Sequence, residues 1–158
     1  MTRRLLGLAG FWLILGFVTV ALAQAPDPAA GTWSINLAKS KFSPGPAPKS
    51  QTLKYEATEG GVKLSVDIVN ASGESSHSEY SAKYDGKDYP VTGNPNADTI
   101  SLKRIDSHSF EAQWKKDGKP TMTVRTTISK DGMTRTSVQT GKNAQGQEVK
   151  NTTVYDKQ

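Results

Sequence analysis

The chain has 158 residues, a formal net charge of +5 and no cysteine. This length is typical of one domain. The lack of cysteine excludes disulfides, thiolate metal sites and a cysteine-linked lipid anchor. The positive charge is modest and scattered along the chain, whereas nucleic-acid binding requires a clustered basic face, so we expect no nucleic-acid partner.

Residues 1–23 are typical of a secretory signal peptide. Arg3 and Arg4 give it a positive start, an uncharged run follows, and Ala21-Leu22-Ala23 is a small-x-small cleavage site. An uncleaved membrane anchor is the alternative, because the uncharged run is close to the roughly 20 residues that span a bilayer. Cleavage lowers the formal charge to +3, since both arginines leave. We expect an exported protein, periplasmic or extracellular, without stable membrane insertion after cleavage.

The remaining chain divides into a short linker, residues 24–30, and one domain, residues 31–158. The linker is rich in Pro and Ala, which predicts a flexible segment. In the domain, apolar and polar residues alternate with a period of two, which is typical of half-buried strands. The run 62–68 is the clearest case, and turn pairs such as Asp117-Gly118 separate such runs.

This alternation, with its regularly spaced turn pairs, predicts an all-β domain that forms an antiparallel up-and-down barrel of eight to ten strands. Closure into a barrel is favoured because it removes exposed strand edges, and a flattened two-sheet sandwich is the rival. The register of the last strand stays open. Polar residues share a face with Val149 and Tyr155, whereas Val154 lies on the opposite face.

The start of the domain resembles a known family. Gly31-Thr32-Trp33 resembles the Gly-x-Trp start of lipocalins and related calycin barrels. The longer stretch 31–50 is similar to a family of small exported bacterial proteins of unknown function with a lipocalin-like domain. In lipocalins the tryptophan plugs one end of the barrel and an arginine from a late strand stacks across it. The resemblance implies that plug role for Trp33, with Arg135 or Arg125 as the stacking cation.

Enzyme chemistry is not indicated by the sequence. His77 lies on the polar face of a predicted strand and His108 lies in a predicted turn, so neither is expected to hold a metal or haem. The sequence contains no Gly-x-Ser-x-Gly elbow, phosphate loop or dinucleotide fingerprint. We therefore expect a protein that is not an enzyme, with no catalytic residues, no metal and no cofactor.

Aromatic side chains recur on the predicted inward faces, and ordinary core packing is one interpretation. The other is a pocket for a small apolar or amphipathic molecule, with these walls: Tyr55, Tyr80, Tyr84, Trp114 and Met122. A hypothesis from another class is a module that binds a protein partner or acts as an inhibitor. It would use the Pro-rich loop 41–50, which is otherwise a rigid strap, and the loop 88–96.

Overall fold

A computed structural model of the chain describes residues 27–142 and 146–158. The predicted signal peptide, residues 1–23, lies outside the described residues. Over the described ranges the chain forms ten β-strands and one short 3₁₀ helix. No helix in this part of the chain has the length and apolar character that a membrane span needs.

The ten strands form one closed antiparallel sheet. In chain order they are β1 (Gly31–Ile35), β2 (Ser50–Thr58), β3 (Gly61–Val69), β4 (Ser75–Lys83), β5 (Asp85–Thr92), β6 (Thr99–Asp106), β7 (Ser109–Lys116), β8 (Lys119–Ile128), β9 (Thr134–Lys142) and β10 (Glu148–Lys157), with the 3₁₀ helix (Leu37–Lys39) after β1. Each strand pairs with the next, and β1 also pairs with β10. The prediction of a closed up-and-down barrel is confirmed, and the sandwich is excluded.

The alternation of apolar and polar residues in the sequence corresponds to an alternation of buried and exposed side chains along the strands. Along β3, Val62, Leu64 and Val66 are buried, while Lys63 and Asp67 on the opposite face are exposed. Inward side chains from β2, β3, β4, β6 and β7 meet in one apolar core. A turn predicted from an Asp-Gly pair is also present. Asp117 and Gly118 both have positive φ, 49° and 71°, as a type I′ turn requires.

The structure settles the register of β10. Its odd-numbered residues point inward, so that Thr153 and Tyr155 are buried inside the barrel. Val154 lies on the outer face but is also buried, because the segment that contains the 3₁₀ helix crosses over it. The amide of Asn36 donates to the Val154 carbonyl (2.7 Å), and the Val154 amide donates to the Ser40 hydroxyl (2.9 Å). Because of this cover an apolar residue also lies on the outer face of the strand, so the sequence pattern did not reveal its register.

One end of the barrel is closed by residues 27–30, which corrects the predicted flexible linker over these four residues. They form a turn in which Ala29 is almost fully buried. The indole Nε1 of Trp33 donates to the Ala29 carbonyl (2.9 Å). The Asp27 carboxylate forms an ion pair with Arg104. The segment is held because it covers apolar surface and neutralises a half-buried cation.

Trp33 is fully buried at this closed end, and the cation beside it is a lysine. The Lys157 ammonium lies 5.1 Å from the Trp33 ring centroid. The resemblance implied Arg135 or Arg125 here, and the strand register explains the difference. Lys157 is the direct partner of Trp33 across β1 and β10, whereas Arg135 is opposite Tyr155 and Arg125 is exposed on β8.

We expect Trp33→Ala to lower the free energy of unfolding by about 3–5 kcal/mol, because it leaves a cavity where a fully buried indole stood. Urea unfolding followed by far-ultraviolet circular dichroism measures the change. Met133→Ala is the control, since Met133 is 53% exposed, and its effect should stay below about 0.5 kcal/mol. A loss below about 1 kcal/mol for Trp33→Ala would show that the tryptophan is not a structural plug.

Candidate functional site

The barrel encloses a cavity of about 540 Å³ that opens at the end opposite Trp33. Its lining extends from the middle of the barrel to loops at this open end, among them residues 70–72 and 94–97. Small-molecule sites in proteins have volumes of about 300–1,000 Å³. The cavity therefore has the size of a binding site for a small organic molecule.

Two sides of the cavity differ in polarity. The apolar side comes from β2, β3, β4 and β7 and includes these residues: Leu53, Leu64, Val66, Ile68, Tyr80, Ala112 and Trp114. The rings of Tyr80 and Trp114 meet edge to face, with centroids 5.7 Å apart. Met122 and Val124 of β8 add to the apolar lining, whereas the polar side comes from β9, β10 and one residue of β8 and includes these residues: Thr126, Arg135, Ser137, Gln139, Asn151 and Thr153. The cavity is thus amphipathic.

Four of the five predicted wall residues line this cavity, namely Tyr55, Tyr80, Trp114 and Met122. Tyr84 does not, because it follows the last residue of β4 and lies at the closed end. There the guanidinium carbon of Arg104 is 3.7 Å from the Tyr84 ring centroid. The predicted wall role of Tyr84 is corrected to a contact in the closed end.

Arg135 is the one cation that the barrel holds deep in this polar side among the described residues, and it is only 5% exposed. Its guanidinium carbon lies 4.4 Å from the Tyr55 ring centroid and 5.5 Å from that of Tyr155. Such cation–π contacts contribute about 0.5–2 kcal/mol each. Removing a guanidinium from water costs several kcal/mol, so the rings alone offset only part of that cost.

The N–H groups of Arg135 are poorly satisfied. Nη2 donates to the Thr126 hydroxyl at 3.4 Å, which is a long hydrogen bond. Nε and Nη1 have no hydrogen-bond partner within the described part of the chain. No carboxylate of the described ranges forms an ion pair with this side chain, although five Lys or Arg side chains form such pairs elsewhere in these ranges. Arg135 is a buried cation without a counter-charge from these residues.

Hydroxyl groups surround this cation. The Thr126 and Ser137 hydroxyls are 2.9 Å apart, so one donates to the other. The Thr153 hydroxyl donates to the Ser137 carbonyl at 3.4 Å. The alternation in the sequence did not indicate that Ser137, Thr153 and Arg135 line the cavity. The register of β10 is what places them inside. An inward Tyr155 puts Thr153 on the same inner face. The β9 residues opposite these two, Arg135 opposite Tyr155 and Ser137 opposite Thr153, then point inward as well.

Burial raises the pKa of four tyrosines, namely Tyr89 of β5 and three in the interior. Burial raises the pKa of Tyr80 well above its usual range, against the opposing effect of the nearby Arg135 cation. Burial also raises the pKa of Tyr155, again opposed by Arg135. At the closed end burial raises the pKa of Tyr84, and its hydroxyl has no partner among residues 27–142 and 146–158. All three are neutral hydroxyls at physiological pH.

The open end is bordered by the strap, residues 41–50. Phe42, Pro46 and Pro48 of the strap line the cavity. The strap is bound to β10: the Lys41 amide donates to the Thr152 carbonyl (2.7 Å). The other predicted loop, 88–96, is partly strand, because β5 continues to Thr92. Its remaining residues Asn94 and Asn96 also border the opening.

Neither histidine lies in the cavity lining. His77 is exposed and His108 is partly exposed, and His77 Nδ1 is 2.7 Å from an Asp67 carboxylate oxygen on the outer face. In the described ranges no three His, Asp or Glu side chains are grouped to hold a metal ion.

No known protein family matches the chain, and no curated protein is significantly similar to it. The geometry of the cavity is therefore the basis for the function.

At about pH 11 we expect the folded protein to ionise fewer of its five tyrosines than the unfolded chain, because burial raises the pKa of Tyr80, Tyr84, Tyr89 and Tyr155 above the ordinary value of about 10. Tyrosinate absorbance in the near ultraviolet, with the urea-unfolded chain as reference, measures this. The unfolded chain should ionise all five.

The same tyrosines make stability depend on alkaline pH. Their folded pKa lies above the unfolded one, so their contribution is complete below about pH 10 and is lost as pH rises through the folded pKa. The free energy of unfolding should therefore not change with pH near neutrality on their account, and it should fall above about pH 10. A folded protein that ionises all five tyrosines near pH 10 would contradict this assignment.

Proposed function

We propose that this protein binds a small amphipathic molecule inside its barrel, without catalysing a reaction, and that it does so after export. The observation that supports this most directly is the cavity of about 540 Å³, with one apolar and one polar side. An interior packed for stability alone would be filled by side chains to the density of an organic crystal. Barrels that remain hollow and open at one end are a common means of holding small ligands.

The titratable groups of the cavity favour binding over catalysis. Tyr55, Tyr80, Tyr155, Arg135 and Lys142 are the titratable residues in the described lining. Burial raises the pKa of Tyr80 and of Tyr155 further from neutrality. General acid–base catalysis works best with a group whose pKa is near the operating pH. These side chains are better suited to orient a ligand through hydrogen bonds and charge.

The strap also favours ligand binding over a partner-binding loop. Phe42 and Pro48 turn toward the cavity, and the backbone of the strap bonds to β10. The Ser43 amide donates to the Asn151 side-chain oxygen (2.9 Å), which fixes the strap at a second point. A loop that recognises a protein partner presents its apolar residues outward. Here those residues border the route into the barrel.

We expect Ser78→Phe to weaken binding of the neutral dye N-phenyl-1-naphthylamine by at least about tenfold, because the new ring occupies cavity volume. Ser78 is an inward residue of β4 and lines the cavity. Ser81→Phe is the matched control on the exposed face of the same strand, and it should bind the dye as the unmodified protein does. Dye fluorescence measures both. An unmodified protein that binds no dye would contradict the proposed function.

We expect the protein purified from its own host to begin at Gln24, because Ala21-Leu22-Ala23 is a signal-peptidase site. Intact-mass spectrometry under denaturing conditions measures the loss of residues 1–23. Ala23→Arg is the control variant, since it removes the small residue at the cleavage position, and it should keep the full chain. Unmodified protein that retains residues 1–23 would contradict cleavage.

A further inference from the structure

We infer that the ligand carries a single carboxylate on an apolar tail and that this carboxylate binds to Arg135. This inference rests on the proposed function, and it adds the chemical class of the ligand and its orientation. It follows from one juxtaposition. Arg135 is 95% buried, and two of its guanidinium nitrogens have no hydrogen-bond partner in the described chain. It lines the deep part of an amphipathic cavity that is otherwise uncharged there.

A second, partly buried arginine provides an internal comparison. Arg104 also lies against aromatic rings, those of Tyr84 and Phe110, but it forms an ion pair with Asp27. Arg135 has the same kind of aromatic surroundings without such a pair in the described ranges. A buried charge is normally paired or hydrogen-bonded, because an unpaired one is unfavourable. The counter-charge of Arg135 is therefore expected from outside these residues.

The surroundings of Arg135 match one carboxylate. A guanidinium is planar and its N–H groups form a fork that fits the two oxygens of a carboxylate. One positive charge balances one negative charge, whereas a phosphate ester carries about 1.5 to 2 negative charges at neutral pH. The Thr126 and Ser137 hydroxyls share one hydrogen bond, so one of the two hydroxyl hydrogens is available to a ligand oxygen.

The position of Arg135 sets the orientation of the ligand. Arg135 is the second residue of β9, near the closed end, whereas Gln139 and Lys142 of the same strand are nearer the opening. Met122 and Ile68 line the cavity between the two ends, and Phe42 and Pro48 border the opening. The carboxylate would enter first and reach Arg135, and the apolar tail would extend toward the strap.

Three compounds with the same tail test the head group: dodecanoate, methyl dodecanoate and dodecyl phosphate. Their affinities are measured by displacement of N-phenyl-1-naphthylamine from the full processed protein. We expect dodecanoate to bind about tenfold to a hundredfold more tightly than its methyl ester, since the ester has the same tail but no charge. We also expect dodecanoate to bind more tightly than dodecyl phosphate.

Variants then locate the effect. Arg135→Met should remove the preference for dodecanoate over the methyl ester, so that the ratio of the two affinities, measured on this variant itself, falls to about one. Arg125→Met is the matched control, because Arg125 is an exposed arginine on the outer face of β8, and it should keep the full preference. Circular dichroism verifies that each variant is folded. If Arg135→Met does not fold, the ratio measured on the unmodified protein still decides the question.

The outcomes separate the two proposals. Equal affinity for dodecanoate and its ester, or an unchanged preference in folded Arg135→Met, would overturn the carboxylate inference while dye binding upholds the proposed function. Tighter binding of dodecyl phosphate would overturn the assignment to a carboxylate. Failure of the dye to bind the unmodified protein would overturn the proposed function itself, and this inference with it.

Discussion

The antiparallel pairing of β1 with β10 is the contact on which the barrel depends. β1 has only five residues, yet it bonds to β10 on one side and to β2 on the other. Without it, both neighbours would present unpaired backbone groups at an open edge. Closure also fixes which side chains are inside, because every second residue must then point to the axis. The core, the cavity and the outer polar surface all follow from it.

The interior is filled at one end and hollow at the other, and side-chain size accounts for the difference. The closed end holds Trp33, Tyr84 and Phe110, with the Asp27–Arg104 ion pair above them. Further along, the inward positions include small residues such as Ser78 and Ser137, which leave the axis empty. A ring of more than eight strands is wider than side chains of this size can fill. Packing therefore supports stability at one end and leaves room for a ligand at the other.

The fold was predictable because the sequence patterns that specify it are local and repeated. An alternating run such as residues 62–68 specifies one strand, and a turn pair such as Asp117-Gly118 specifies one hairpin. The site was less predictable. An arginine in a strand is normally expected to face water, and only the pairing of Arg135 with Tyr155 places it inside. The outer cover over Val154 concealed that pairing. Tyr84 was wrongly predicted to line the cavity because alternation shows whether a side chain points into the barrel, but not how far along the barrel axis it lies.

The buried guanidinium has opposite effects on folding and on binding. For folding, an apolar side chain of similar size in place of Arg135 would be neutral or stabilising, since a buried charge without a counter-ion is unfavourable. For binding, the free energy cost of removing the guanidinium from water has already been met when the protein folds. An anionic ligand therefore meets a dehydrated cation that Tyr55 and Tyr155 hold in position. Water weakens a charge–charge attraction far more than a protein interior does. A cation in this place therefore contributes more to recognising a carboxylate than to stabilising the barrel.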